Sequence, residues 1–136
     1  MIVAAALLLL QIAPAAAAPV VHAASPRTLS GRFTCAAGIY DLQVTATPLG
    51  GTGVVLDRLT IDGRAMDAGS FAEARRMTAR LSDVQSLDVR CREDGGGELS
   101  LYGTQAAPGA PPRRARLRGT LRDGQISGLT VGVAQR

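Results

Sequence analysis

Lysine, asparagine and tryptophan are absent from this 136-residue chain, and histidine occurs once, as His22. The missing lysine excludes Schiff-base catalysis, and a lone histidine excludes histidine-built zinc sites. Aromatic residues are few: Phe33, Tyr40, Phe71 and Tyr102. The core must therefore be built from Leu, Val, Ile and Ala. All fifteen basic residues are Arg, in a chain rich in Ala and Gly. That composition bears the mark of a GC-rich genome, which places Arg at ordinary surface positions too.

Residues 1–24 read as a secretory signal peptide. Ile2 to Leu10 is an apolar core, and Pro14 and Pro19 break the stretch beyond it. A spanning helix needs about 20 apolar residues without such breaks. Val21-His22-Ala23 supplies the small residues of a cleavage site. A basic residue before the apolar core is the one feature lacking. Cleavage would remove His22, and with it Ser-His and Cys-His nucleophile pairs. About 112 residues would remain, one domain's worth. The expected location is periplasmic or secreted, with no transmembrane helix in the mature chain.

Cys35 and Cys91 are the only cysteines. In an exported protein a pair is most simply a disulfide. Leu87, Val89 and Cys91 alternate with Asp88, Arg90 and Arg92. After Glu93-Asp94-Gly95-Gly96-Gly97, Leu99 and Leu101 alternate with Ser100 and Tyr102. Alternation on both sides of a glycine-rich turn predicts a hairpin with Cys91 on its buried face. Phe33 and Cys35 share a face of a first strand, so the bond would join two strands.

Residues 25–30 read as a disordered lead-in, and 31–134 as a single β-rich domain. Tyr40, Leu42, Val44 and Ala46 alternate with polar residues in a second strand. In the strand 54–61, Val55, Leu59 and Ile61 are placed on one face, with Val54, Leu56, Arg58 and Thr60 on the other. Asp62-Gly63 and Asp123-Gly124 are strong hairpin turns. Ser70 and Glu73 have capping-box spacing, which predicts a helix over 70–81. The segment 105–112 reads as a loop to another sheet edge. Residues 113–122 form a strand whose return pairs Leu121 with Ile126 and Gly119 with Gly128. The fold class is mainly β: a small antiparallel β-sandwich or partly open barrel of about eight short strands with one short helix.

Arg114, Arg116, Arg118 and Arg122 line one face of that strand at intervals of about 7 Å, and Arg113 lies beside them. Guanidiniums in such a row suit bidentate binding of phosphates or carboxylates. The corresponding partners are an anionic envelope component (lipopolysaccharide, anionic lipid or acidic polysaccharide) or another protein. Nucleic acid is not expected, because base-stacking aromatics are lacking. Charge on an edge strand also blocks edge-to-edge pairing, which is the competing explanation. Glu93, Asp94 and Glu98 surround three glycines, but they match no calcium-loop motif and read as a polar hairpin tip.

Phe33-Thr34-Cys35, followed by Gly38, Leu42 and Val44, resembles the opening strands of periplasmic c-type lysozyme inhibitors, which are small β-barrels. The resemblance stops at Val44. A net charge of +4 also opposes binding to a basic lysozyme.

The expectation is an exported, non-catalytic binding or accessory domain, without metal or cofactor. The alternative is a periplasmic inhibitor or chaperone-like protein acting through sheet edges. A small carboxylate-based carbohydrate-active enzyme is third, since glycoside hydrolysis needs only two facing carboxylates.

Overall fold

Each half of the chain folds as a four-stranded antiparallel meander. The computed structural model describes residues 25–50 and 53–134; the segment 1–24, read from the sequence as a signal peptide, lies outside them. The first sheet runs in the order β1 (Arg27–Cys35), β2 (Gly38–Pro48), β3 (Val54–Ile61) and β4 (Arg64–Ala65). The helix α1 (Ala68–Thr78) comes next. The second sheet runs β5 (Asp83–Cys91), β6 (Gly97–Gln105), β7 (Arg113–Arg122) and β8 (Gln125–Val133). Among the described residues, eight strands in two sheets with one short helix make a small β-sandwich.

The sheets meet along β1 and β5. Cys35 and Cys91, each closing its strand, are bonded, with Cα atoms 5.3 Å apart. At the other end, Arg27 Nη1 donates to the Val84 carbonyl at 3.2 Å. Starts and ends therefore coincide, so the two edge strands run side by side in one direction. On the far side α1 packs against β3 and β8. Ala74, Met77 and Thr78 are its buried residues.

Local bulges decide which side chains enter the core. Between β2 and β3 the register shifts at Thr45/Ala46, pairing Thr45 with Arg58 but Ala46 with Leu56. Asp57 is the extra residue, and its Oδ2 accepts from Thr47 Oγ1 at 2.6 Å. Val54, Leu56, Leu59 and Ile61 are consequently all buried. The strict alternation expected for this strand, with Val54 and Leu56 opposite Leu59 and Ile61, is corrected by that one residue. Gln85 plays the same part in β5, bringing Val84 and Leu87 to the inner side. In β8, Gly128 adopts φ +62° and the register shifts between Arg118 and Thr120. Leu121 pairs with Ile126 as expected, but Gly119 does not pair with Gly128. The bulge instead aims both Ile126 and Leu129 at Gly119, where a Cβ would lie 2.7 Å from each.

Four further expectations change. Residues 27–30 belong to β1 rather than to a lead-in. The helix is capped by Asp67, whose side chain accepts from the Ser70 N–H at 3.0 Å. Glu73 bonds Arg76 instead of closing a capping box with Ser70. Cys91 is exposed, as the last residue of β5, while its partner Cys35 is buried. Finally, the loop after β6 returns to β6's own neighbour, so β7 is an interior strand, paired on both sides.

The interior is a packed core. Its gap, lined by Val44, Leu56, Ala74, Leu101, Leu117 and Leu129 among others, has a volume of about 10 Å³. That is at the lower bound for one water molecule.

Candidate functional site

A filled interior directs attention to the outer faces. On the second sheet, β7 turns Ala115, Leu117, Gly119 and Leu121 inward, all buried. Arg114, Arg116, Arg118, Thr120 and Arg122 face outward, as alternation requires. Register then sets the neighbours of each. Arg116 lies between Tyr102 of β6 and Gly132 of β8; Arg118 lies between Ser100 and Thr130.

The five arginines differ in how far they are neutralised. Arg122 Nη2 donates to Asp94 Oδ2 at 2.5 Å. Asp94 also receives Arg92 at 3.4 Å and accepts the Gly96 N–H at 3.1 Å. The Gly96 bond is the main cause holding the Asp94 carboxyl below its usual range, with the charges of Arg122 and Arg92 adding to it. Arg118 Nη2 donates to Glu98 Oε2 at 2.8 Å. That bond lowers the Glu98 pKa, helped by the charges of Arg118, Arg116 and Arg90, and raises that of Arg118. Asp94 and Glu98 are thus occupied as counter-charges rather than gathered as a cation cage.

The opposite end of β7 is uncompensated. The Arg116 guanidinium sits 6.0 Å from the Tyr102 ring centroid, a cation–π placement that orients it without cancelling its charge. Among the described residues, no carboxylate lies within ion-pair distance of Arg113, Arg114 or Arg116. The predicted row Arg114, Arg116, Arg118 and Arg122 is therefore brought onto one face, but its available part narrows to Arg114 and Arg116; Arg113, exposed at the start of β7, falls by alternation on the side of Ala115. Sequence reasoning missed Tyr102 as a member of this face. Its position is legible only once β6 is known to pair with β7, and the proline-rich loop between them obscured that adjacency.

The outer face of the first sheet carries a shallow open groove of about 410 Å³, lined by Ser30, Arg32, Asp41, Gln43 and Thr60. Its charges cancel: Arg32 grips Asp41 through two bonds, of 2.8 and 3.0 Å. This hydrogen-bonded pairing lowers the Asp41 pKa and raises that of Arg32.

Compared with known proteins, the chain matches no protein-family model, no curated protein and no solved structure.

Proposed function

We propose that this is an exported, non-catalytic binding domain that engages an anionic partner through the outer face of its second sheet. The observation that carries it is the uncompensated positive end of β7: Arg114 and Arg116 on the outer face beside the low relief of Thr130 and Gly132, with Arg113 exposed at the strand's start. Because β7 is an interior strand, these arginines guard no edge, so edge protection does not account for them. Export is supported by the apolar segment at 2–10 and by the disulfide, which persists in oxidising compartments.

The test compares wild type with Arg114→Glu/Arg116→Glu in adsorption to vesicles rich in anionic phospholipid. Arg118 is left alone, since replacing it would strand the half-buried Glu98. Wild type should adsorb at low salt and release as the Debye length shrinks towards about 8 Å. The double variant should not adsorb. Equal adsorption by both proteins would dismiss the arginine face.

A further inference from the structure

We propose that the free edge of β8 receives an extended acidic segment of a partner protein as an additional strand of the second sheet. This rests on the arginine-face reading and names its ligand.

The two sheets have four edge strands. Those of β1 and β5 turn towards each other and are tied by the disulfide. Strand β4 is two residues long. That leaves β8, nine residues with β7 as its sole strand neighbour; α1 packs against β8, where Ile126 and Leu129 share the interior gap with Ala74 and Thr78, so the stretch offered for pairing is its C-terminal part, Thr130 to Val133. Edge strands are ordinarily protected by charge or proline. β1 carries Arg27 and Arg32, β4 carries Arg64, and β5 carries Asp83, Asp88 and Arg90. β8 (QISGLTVGV) carries neither charge nor proline.

Its backbone is also presented for pairing. The Ala134 N–H donates to the Arg114 carbonyl at 3.0 Å. Alternation along an antiparallel ladder then turns the polar groups of Thr130 and Gly132 towards β7, and those of Val131 and Val133 off the free edge. Val133 is 59% exposed.

The chemistry of the incoming strand is set by its two faces. Its outward side chains would lie two strand spacings, about 10 Å, from β7. Only Thr130 and Gly132 stand between, so carboxylates at every second residue can meet Arg114 and Arg116. Its inward side chains would lie beside Val131 and Val133 and should be apolar. The fitting ligand alternates acidic and apolar residues, joined by backbone bonds as in other strand additions. A second copy of β8 fits worse, because it brings no carboxylate to the arginines.

The probe is a fluorescein-labelled peptide of alternating Glu and Val, followed by anisotropy. Val133→Pro removes the outward N–H without removing a bond to β7, a placement proline tolerates. It should weaken peptide binding by roughly tenfold or more while leaving vesicle adsorption unchanged. Arg114→Glu/Arg116→Glu should weaken both. Peptides N-methylated at every second residue test the same bonds without altering the protein: one phase should abolish binding and the other preserve it. If Val133→Pro and both methylated peptides bind like their parents, strand addition is wrong, while vesicle adsorption still judges the arginine face separately. If charge reversal spares peptide binding but Val133→Pro destroys it, the acidic preference is overturned. A wild-type dimer that Val133→Pro dissociates would assign the edge to a second copy and overturn the proposal.

Discussion

Asp67 shows how one side chain sets a helix boundary. Two cap signals compete three residues apart, Asp67 with Ser70 and Ser70 with Glu73. The upstream one wins, so α1 starts at Ala68 and ends at Thr78. Thr78 Oγ1 bonds back to the Ala74 carbonyl at 2.7 Å, and the chain tightens through Arg80 to Met77 and Leu81 to Thr78. Leu81 thus reaches full burial from outside the helix. Asp67→Ala should cost about 1 kcal/mol in denaturant unfolding, whereas Ser70→Ala should leave the midpoint nearly unchanged. Gly103 is a second decisive residue: a Cβ there would lie 2.0 Å from the Asp83 carbonyl oxygen, which is backbone and cannot swing away. Gly103→Ala should therefore destabilise by about 1–3 kcal/mol, read from the same unfolding curves. The acid limb of stability is also set by single residues. Asp41, Asp67, Asp94 and Glu98 all have folded pKa values below their ordinary ones, through Arg32, the Ser70 N–H, the Gly96 N–H and Arg118 respectively. Their contribution is fully present above the unfolded values near about 4 and is lost as pH falls through the lower folded values. The urea midpoint should be flat from neutral pH down to about 5 and decline below about 4, modestly, since these groups are exposed and salt-screened.

At the scale of elements, hairpin turns and strand faces were the legible part. Asp62-Gly63 and Asp123-Gly124 both have φ near +50° on Asp and above +70° on Gly, the conformation those dipeptides favour in two-residue hairpins. The period of two in β2 and β7 carried directly into burial, and β6 departs from it only at Ser100, which is buried on the outer face. The bulges were not legible, because a single extra residue changes face assignment without changing composition. In β3 the sequence Leu56-Asp57-Arg58-Leu59 reads as a polar interruption, whereas the fold uses it to return Leu59 to the core. In β8 the spacing Ile126 to Leu129 to Val131 is intelligible only with Gly128 in the left-handed region. Replacing Gly128 by Val should strain that backbone and misplace Leu129 over Gly119. The expected result is a lower melting temperature, with Gly128→Asn, which tolerates positive φ better, losing less.

On the scale of the whole molecule, two meanders of local contacts are joined by one seam and one helix. The seam holds the disulfide, which closes a separation of 56 residues. In the chain-entropy account a loop of that length stabilises by about 4 kcal/mol, a large fraction of a small domain's total. Cys35→Ser/Cys91→Ser should lose about that much in equilibrium unfolding; an unchanged midpoint would mean the core alone holds the sheets together. Sequence reasoning reached this bond from the cysteine count and the expected export. It did not reach the parallel course of β1 and β5, since nothing local encodes how two sheets meet. It placed the arginines on one face correctly but put them at an edge, because strand order is a property of the assembled sheets. With β7 interior, its outer face is the surface proposed for recognition, beside an uncharged edge. The most direct measurement of that claim is a two-dimensional amide NMR titration of the isotopically labelled protein with polyglutamate at low salt. Shifts confined to residues 113–118, 130–133 and Tyr102, and reversed by added salt, are the predicted result. Shifts centred on the groove at Ser30, Gln43 and Thr60, or scattered over every arginine of the surface, would contradict it.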